Sequence, residues 1–152
     1  MPVNGIVLFA KTSKALVRMN EIFRQRRVSK IYEAMVENVS LAGSGLLTHW
    51  LKRDERKNFS KAYQKEIPGS EKAILKYEMT GKKGKLSLLR IELLTGRKHQ
   101  IRAQFAAIGH PIAGDIKYGA SSANQDGSIH LSAVELTFIH PVKKEKITIT
   151  LH

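Results

Sequence analysis

The stretch Thr95-Gly96-Arg97-Lys98-His99-Gln100-Ile101-Arg102 limits what this chain can fold into more than any other. Leu86 to Leu94, just before it, is rich in aliphatics and reads as a strand. Lys98 to Ile108 has no breaker and repeats Ile101, Phe105 and Ile108 at helical spacing. Thr95-Gly96 is therefore a strand-to-helix turn, and Arg97, Lys98, His99 and Arg102 are expected in the first turns of the helix. A cation there is disfavoured by the macrodipole by roughly 0.3–1 kcal/mol. No acidic residue lies between Glu92 and Asp115 to offset it. A basic helix start asks for an anion, or for a carboxylate from elsewhere in the fold, and the free N–H groups at that end add to the attraction. The stretch reads as a site; the alternative is solvated charge on an ordinary amphipathic helix.

Charge points to a class of partner. With 26 Lys plus Arg against 13 Asp plus Glu, the 152 residues carry a net +13, and the pI of 10.1 exceeds the value of about 9 that marks nucleic-acid-binding domains. RNA or DNA is the first partner to consider, with a merely soluble basic protein as the bland alternative. The length suits one domain. The absence of cysteine rules out disulfides and thiolate metal sites, and it agrees with a reducing compartment. No apolar run approaches the roughly 18 residues that span a bilayer, and Ile6 to Ala10 is too short for a signal-peptide core. A cytoplasmic monomer with no membrane association is expected. His99, His110, His130 and His140 lack metal-ligand spacing, so no metal is expected; there is no phosphate loop or G-x-S-x-G nucleophile.

Along the chain, Gly5 to Ala10 reads as a strand covered on both faces. Thr12 or Ser13 caps a helix to about Arg27 with Leu16, Met19, Ile22 and Phe23 as its buried stripe. The other face carries Lys14, Arg18, Arg24, Arg26 and Arg27. Val28 to Val36 is a strand with Lys30 and Tyr32 on one side. Leu46 to Lys52 is a short helix or strand. Lys52 to Asn58 is either an exposed loop or an RNA clamp, with Arg53, Arg56 and Lys57 as candidate contacts. Glu71 to Thr80 alternates cleanly and turns through Gly81-Lys82-Lys83-Gly84 into Lys85 to Leu94. In the glycine-punctuated loop Gly109 to Gly119, Asp115 is expected to bond backbone N–H groups. His130 to Phe138 and Glu145 to Leu151 form a last hairpin with Ile147, Ile149 and Leu151 buried. The expected fold is a mixed α+β domain whose mostly antiparallel sheet carries helices on one face.

Four blocks in order, Gly5-Ile6-Val7-Leu8-Phe9-Ala10-Lys11-Thr12, Lys30-Ile31-Tyr32-Glu33-Ala34, Thr95 to Arg102, and Gly109-His110-Pro111-Ile112-Ala113-Gly114-Asp115-Ile116-Lys117-Tyr118-Gly119, resemble the RluA-type RNA pseudouridine synthases. The resemblance covers nearly the whole chain. It implies a mixed sheet with a central basic cleft and a cofactor-free conversion of uridine to pseudouridine in structured ribosomal or transfer RNA. An aspartate attacks the uridine, and the base detaches from the anomeric carbon, turns, and is rejoined through carbon 5. Arg97 would hold that aspartate. Tyr32 would pack on the flipped uracil and help remove the carbon-5 proton, Ile101 and Lys30 would line the pocket, and Lys98, His99 and Arg102 would be scaffold or RNA contacts. The base must leave its stack for the glycosidic bond to be reached.

Two departures accompany the matches. Gln104 stands where many members have histidine. The family's aspartate, in an H-R-L-D block, would fall immediately before residue 1, and Asp54, Asp115 and Asp126 do not replace it by motif. Residues 1 to 152 are thus expected to be a partial catalytic domain, inactive alone. The alternative is a non-catalytic RNA-binding module.

Overall fold

The computed structural model describes residues 3–37 and 40–152. Residues 1 and 2, just after the place expected for the family's aspartate, lie outside them. Alternation builds the centre. Along β5 (Ser70–Lys83) Ala73, Leu75 and Tyr77 turn to one face and are buried. Along β6 (Leu86–Leu93) Ile91 stands opposite Tyr77 and Leu93 opposite Leu75. β2 (Val28–Glu37) pairs with the other side of β6, placing Tyr32 opposite Ile91 and Ala34 opposite Leu89. β3 (Ser44–Asp54) and β4 (Phe59–Tyr63) extend the sheet beyond β5. β7 (Leu131–Ile139) pairs with β2 and continues into β8 (Lys146–Thr150). With the two-residue β1 (Asn4–Gly5), the described residues give one eight-stranded sheet in the order β1-β7-β2-β6-β5-β3-β4, β8 lying along β7. Only β1 runs parallel to its partner, so the fold is α+β with a mixed, mostly antiparallel sheet.

The helix α2 (Gln100–Ala107) covers this apolar face. Ile101 and Phe105 join one cluster with Val36, Leu75, Leu89 and Ile91. Phe105 is fully buried and meets the Tyr77 ring edge-on at 5.6 Å. Phe105→Ala is expected to cost about 3–5 kcal/mol in a urea titration; a loss below about 1 kcal/mol would mean that α2 is not packed here as described.

Several boundaries differ from the sequence reading. The run Gly5 to Ala10 meets the sheet at its start, where Gly5 stands opposite Ala133 and Ile6 N donates to Ala133 O at 2.9 Å, and Phe9 is 83% exposed. The cause is competition for an edge: beyond Ala133, β7 is taken by β8, with Leu151 N donating to Val134 O and Glu135 opposite Thr150. Gly5 itself leaves the strand conformation at φ 126, where a Cβ would lie 2.4 Å from the backbone of Ala133. The helix α1 (Ser13–Arg24) starts on Thr12, whose Oγ1 accepts from Ala15 N at 3.1 Å, but it stops three residues short of Arg27. None of its stripe is fully buried, and Leu16 is exposed. Leu46 to Lys52 belongs to a strand. The β5–β6 hairpin turns at Gly84-Lys85, at the end of the expected Gly81 to Gly84 turn, because an irregularity between Met79 and Gly81 absorbs a residue and lets β5 run on to Lys83. Leu151, beyond the end of β8, is exposed.

Candidate active site and nucleic-acid interface

Thr95 and Gln100 close a ring across the turn between β6 and α2. Thr95 Oγ1 accepts from Ile74 N at 2.9 Å and donates to Gln100 Oε1 at 2.7 Å. That same oxygen accepts from Arg97 N at 2.9 Å, and Gln100 Nε2 donates to Ile74 O at 3.0 Å. Both side chains are buried, so each bond spares a polar group the cost of going unpaired. This ring delays the helix. Arg97, Lys98 and His99 lie before α2, not in its first turns as the sequence suggested, and His99 adopts the left-handed conformation with φ 57. Of the four basic residues only Arg102 sits in the first turn.

Arg97 is thereby aimed at the start of β5. Its Nε donates to Lys72 O at 3.0 Å, and its Nη1 lies 3.1 Å from Glu71 Oε1. The guanidinium that the sequence left without a carboxylate has one in this fold. It is a weakly held one, since the Glu71 side chain is 66% exposed.

Arg102 is committed more deeply. Its Nε and Nη2 each donate to an Asp115 carboxylate oxygen at 2.7 Å, and both side chains are buried. Asp115 therefore serves as the carboxylate for the basic helix start; the expected bonding of its side chain to backbone N–H groups is replaced by this bidentate pair. Tyr118 packs its ring against the Arg102 guanidinium at 4.6 Å and stacks on Phe59 at 4.5 Å. Its Oη accepts from Ser60 N at 2.9 Å and meets His99 Nδ1 at 2.8 Å. Ser60 Oγ donates to Lys98 O at 2.8 Å. Together these contacts tie α2, β4 and the 3-10 turn Ile116–Tyr118 to one another. His99 and Arg102 hold the scaffold in place, and neither offers a free charge.

His99 Nε2 accepts from Arg102 at 3.3 Å, which leaves the proton on Nδ1. Burial first, then the charges of Arg102, Arg53, Lys117 and Lys98, hold the imidazole down to about 4, so it is neutral at pH 7. The unfolded chain protonates it near the ordinary value of 6.5. Between those values the unfolded state binds more protons, and stability falls as pH is lowered from about 6.5 toward 4. His99→Gln should therefore flatten this part of a Tm-against-pH curve; an unchanged slope would show that the ring is not held neutral.

Tyr32 packs against the core cluster that contains Ile101, and burial pushes its hydroxyl up from the ordinary value. Ile101 is itself buried in that cluster. Lys30, on the same strand as Tyr32, has other neighbours. It is half-buried with its ammonium 4.6 Å from the centre of the Phe23 ring, and it lines a cavity of about 540 Å³ with Arg26, Arg27, Glu92, Thr95 and Gly96. Neither Arg97, Tyr32 nor Ile101 lines that cavity.

Among the surface cations, Lys98, Arg56 and Lys57 are exposed. Arg53 is partly committed to its own turn, with Nη2 donating to Asn58 Oδ1 and Nε 3.5 Å from Glu55. Some partners of these residues were not foreseen. Glu71 has no local signal, being 26 residues from Arg97. Thr95 and Gln100 did have one, a hydroxyl and an amide five residues apart across a turn. Buried Gln104 ties α2 to the sheet, donating to His49 Nδ1 at 3.0 Å and Ala73 O at 3.2 Å. Among the described residues no three His, Cys, Asp or Glu side chains gather as a metal site, and no helix is long and apolar enough to cross a membrane.

A family model described as RNA pseudouridylate synthase matches residues 1–107. A tRNA pseudouridine synthase C of Haemophilus influenzae is 34% identical over 98% of this chain and 69% of its own. A dual-specificity RNA pseudouridine synthase RluA of Vibrio vulnificus is 31% identical over 93% of this chain and 58% of its own. An uncharacterized RNA pseudouridine synthase of Aquifex aeolicus is 32% identical, and this chain spans 47% of its length. Among solved structures, human RNA pseudouridylate synthase domain containing 1 superposes with a TM-score of 0.79 at 23% identity, covering 94% of this chain and 62% of that one, a likeness of fold.

Proposed function

Since this chain belongs to the RNA pseudouridylate synthase family, in its RluA-type branch, we propose that its residues form part of the catalytic domain of an enzyme that converts uridine to pseudouridine in structured ribosomal or transfer RNA, in the cytoplasm and without a cofactor. The observation that carries the proposal is the Thr95–Gln100 ring, which fixes Arg97 with its guanidinium already on a carboxylate. Holding a carboxylate is the work the mechanism asks of Arg97.

None of the aspartates available here suits the attack. Asp115 is buried on Arg102, the Asp54 carboxylate accepts from Lys57 N in a turn, and Asp126 is bonded to Ser128. The nucleophile would come from outside these 152 residues, displacing Glu71 from Arg97, and the 152 residues alone would be inactive. Tyr32, with its hydroxyl pushed up by burial, is an uncharged phenol at neutral pH. It suits packing on an extruded uracil, and its scarce phenolate would be a strong base for the carbon-5 proton. Lys98, Arg56 and Lys57 would contact phosphate, with Arg53 beside them, while Arg102 and His99 would shape the site from beneath. Ile101 would bound the pocket with Tyr32, and Lys30 would serve the neighbouring cavity, which it lines with Arg26 and Arg27.

The test is to incubate a full-length protein containing these residues with ribosomal and transfer RNA transcripts, no cofactor added, and to map pseudouridine chemically. Conversion at defined uridines is expected. A non-catalytic RNA-binding module would bind with the same salt dependence and convert none.

A further inference from the structure

The helix α1 ends in an unusual way for its sequence. Arg26 N donates to Phe23 O at 3.1 Å and Arg27 N to Ile22 O at 3.0 Å, the paired bonds of a helix stop that glycine normally makes at the position of Arg26. Arg26 has φ 56, left-handed backbone that an L side chain adopts under strain. A strained residue that a commoner one could replace without strain points to a use for its side chain.

The use is suggested by where the chain then goes. Arg26, Arg27 and Lys30 line the 540 Å³ cavity, and Glu92 is its single acidic lining residue. Among the described residues no ion pair engages these three cations, and Lys30 rests on the Phe23 ring instead. The cavity's wall includes Thr95 and Gly96, so it opens beside the turn that positions Arg97. Its volume falls within the roughly 300–1,000 Å³ of sites that take a small ligand.

We propose that this cavity is an RNA subsite in which Arg26 and Arg27 hold the phosphodiester next to the target uridine while Lys30 lines its floor. The proposal rests on the RNA-modifying reading above and adds to it a binding role for α1's last turn. A base leaves its stack only by rotation of its backbone, and a pair of cations gripping the adjacent phosphate keeps that backbone in register with Arg97. Phosphate suits the cavity better than a neutral ligand because three cations face a single carboxylate.

The experiment titrates the 152-residue chain against a structured transfer RNA transcript by fluorescence anisotropy at several salt concentrations, alongside thermal unfolding. Arg26→Gly should raise Tm by roughly 2–4 °C by relieving the left-handed strain, yet weaken RNA binding at least about fivefold and lower the log–log salt slope by about 0.7–0.9. Arg26→Lys should retain most of the affinity. Lys83→Gln, on the exposed β5–β6 hairpin, is the control for net charge. Unchanged affinity and slope in Arg26→Gly, or an equal loss in Lys83→Gln, would overturn the subsite and leave the family reading intact. No salt-dependent binding by the unaltered chain would overturn the RNA reading as well.

Discussion

Arg97→Ala, made in a full-length protein carrying these residues, is expected to reduce pseudouridine formation on the order of 10²- to 10³-fold while changing Tm by no more than a few degrees. The two halves of that expectation have different origins. The pair that Arg97 makes with the exposed Glu71 belongs to the class worth about 0–1 kcal/mol, so stability barely registers its loss. A buried carboxylate left without its guanidinium loses about 2–5 kcal/mol, and in turnover that is the larger effect. Arg97→Lys should fall between, since an ammonium keeps the charge without the planar fork. Glu71→Gln should leave turnover unchanged or raise it, because on the proposed reading Glu71 would compete with the nucleophile for the guanidinium it holds here. Full activity in Arg97→Ala would remove Arg97 from the site.

Asp115→Asn should have the opposite profile, with stability collapsing first. It strands the Arg102 guanidinium in a buried position among His99 and Tyr118, which costs about 3–5 kcal/mol. In a chain of this size that corresponds to a fall in Tm on the order of 10 °C. Removing both charges together, Arg102→Met with Asp115→Leu, should recover a good part of the loss, because the cost lies in the unpaired charge more than in the missing attraction. A single variant as stable as the parent would mean that the pair is solvated, contrary to its burial here.

The parts of this fold that were legible in the sequence are those governed by near neighbours. Alternation in Glu71 to Thr80 gave the strand and its buried face, and the aliphatic run before Thr95 gave β6. Beyond that reach, four partners decided the rest. β8 took the edge of β7 and cut the strand expected at Gly5 to Ala10 to two residues. Ile74, contributed by β5, completed the ring that delayed α2, so the dipole reasoning applied to Arg102 alone. Glu71 and Asp115, at 26 and 13 residues' distance, supplied the carboxylates that the basic stretch called for. The need for negative charge at Thr95 to Arg102 was readable from local sequence; which residues met it was a property of the sheet. Gln104, noted only as a departure from the family, is a buried tie between α2, β3 and β5.

The most direct measurement is chemical mapping of pseudouridine in transfer and ribosomal RNA after incubation with three proteins: the 152 residues alone, the same residues joined to the H-R-L-D segment, and that joined protein with its aspartate changed to asparagine. Conversion by the second alone is the expected result. Turnover by the 152 residues alone, or by the asparagine variant, would contradict the claim that Arg97 serves a carboxylate brought from outside these residues.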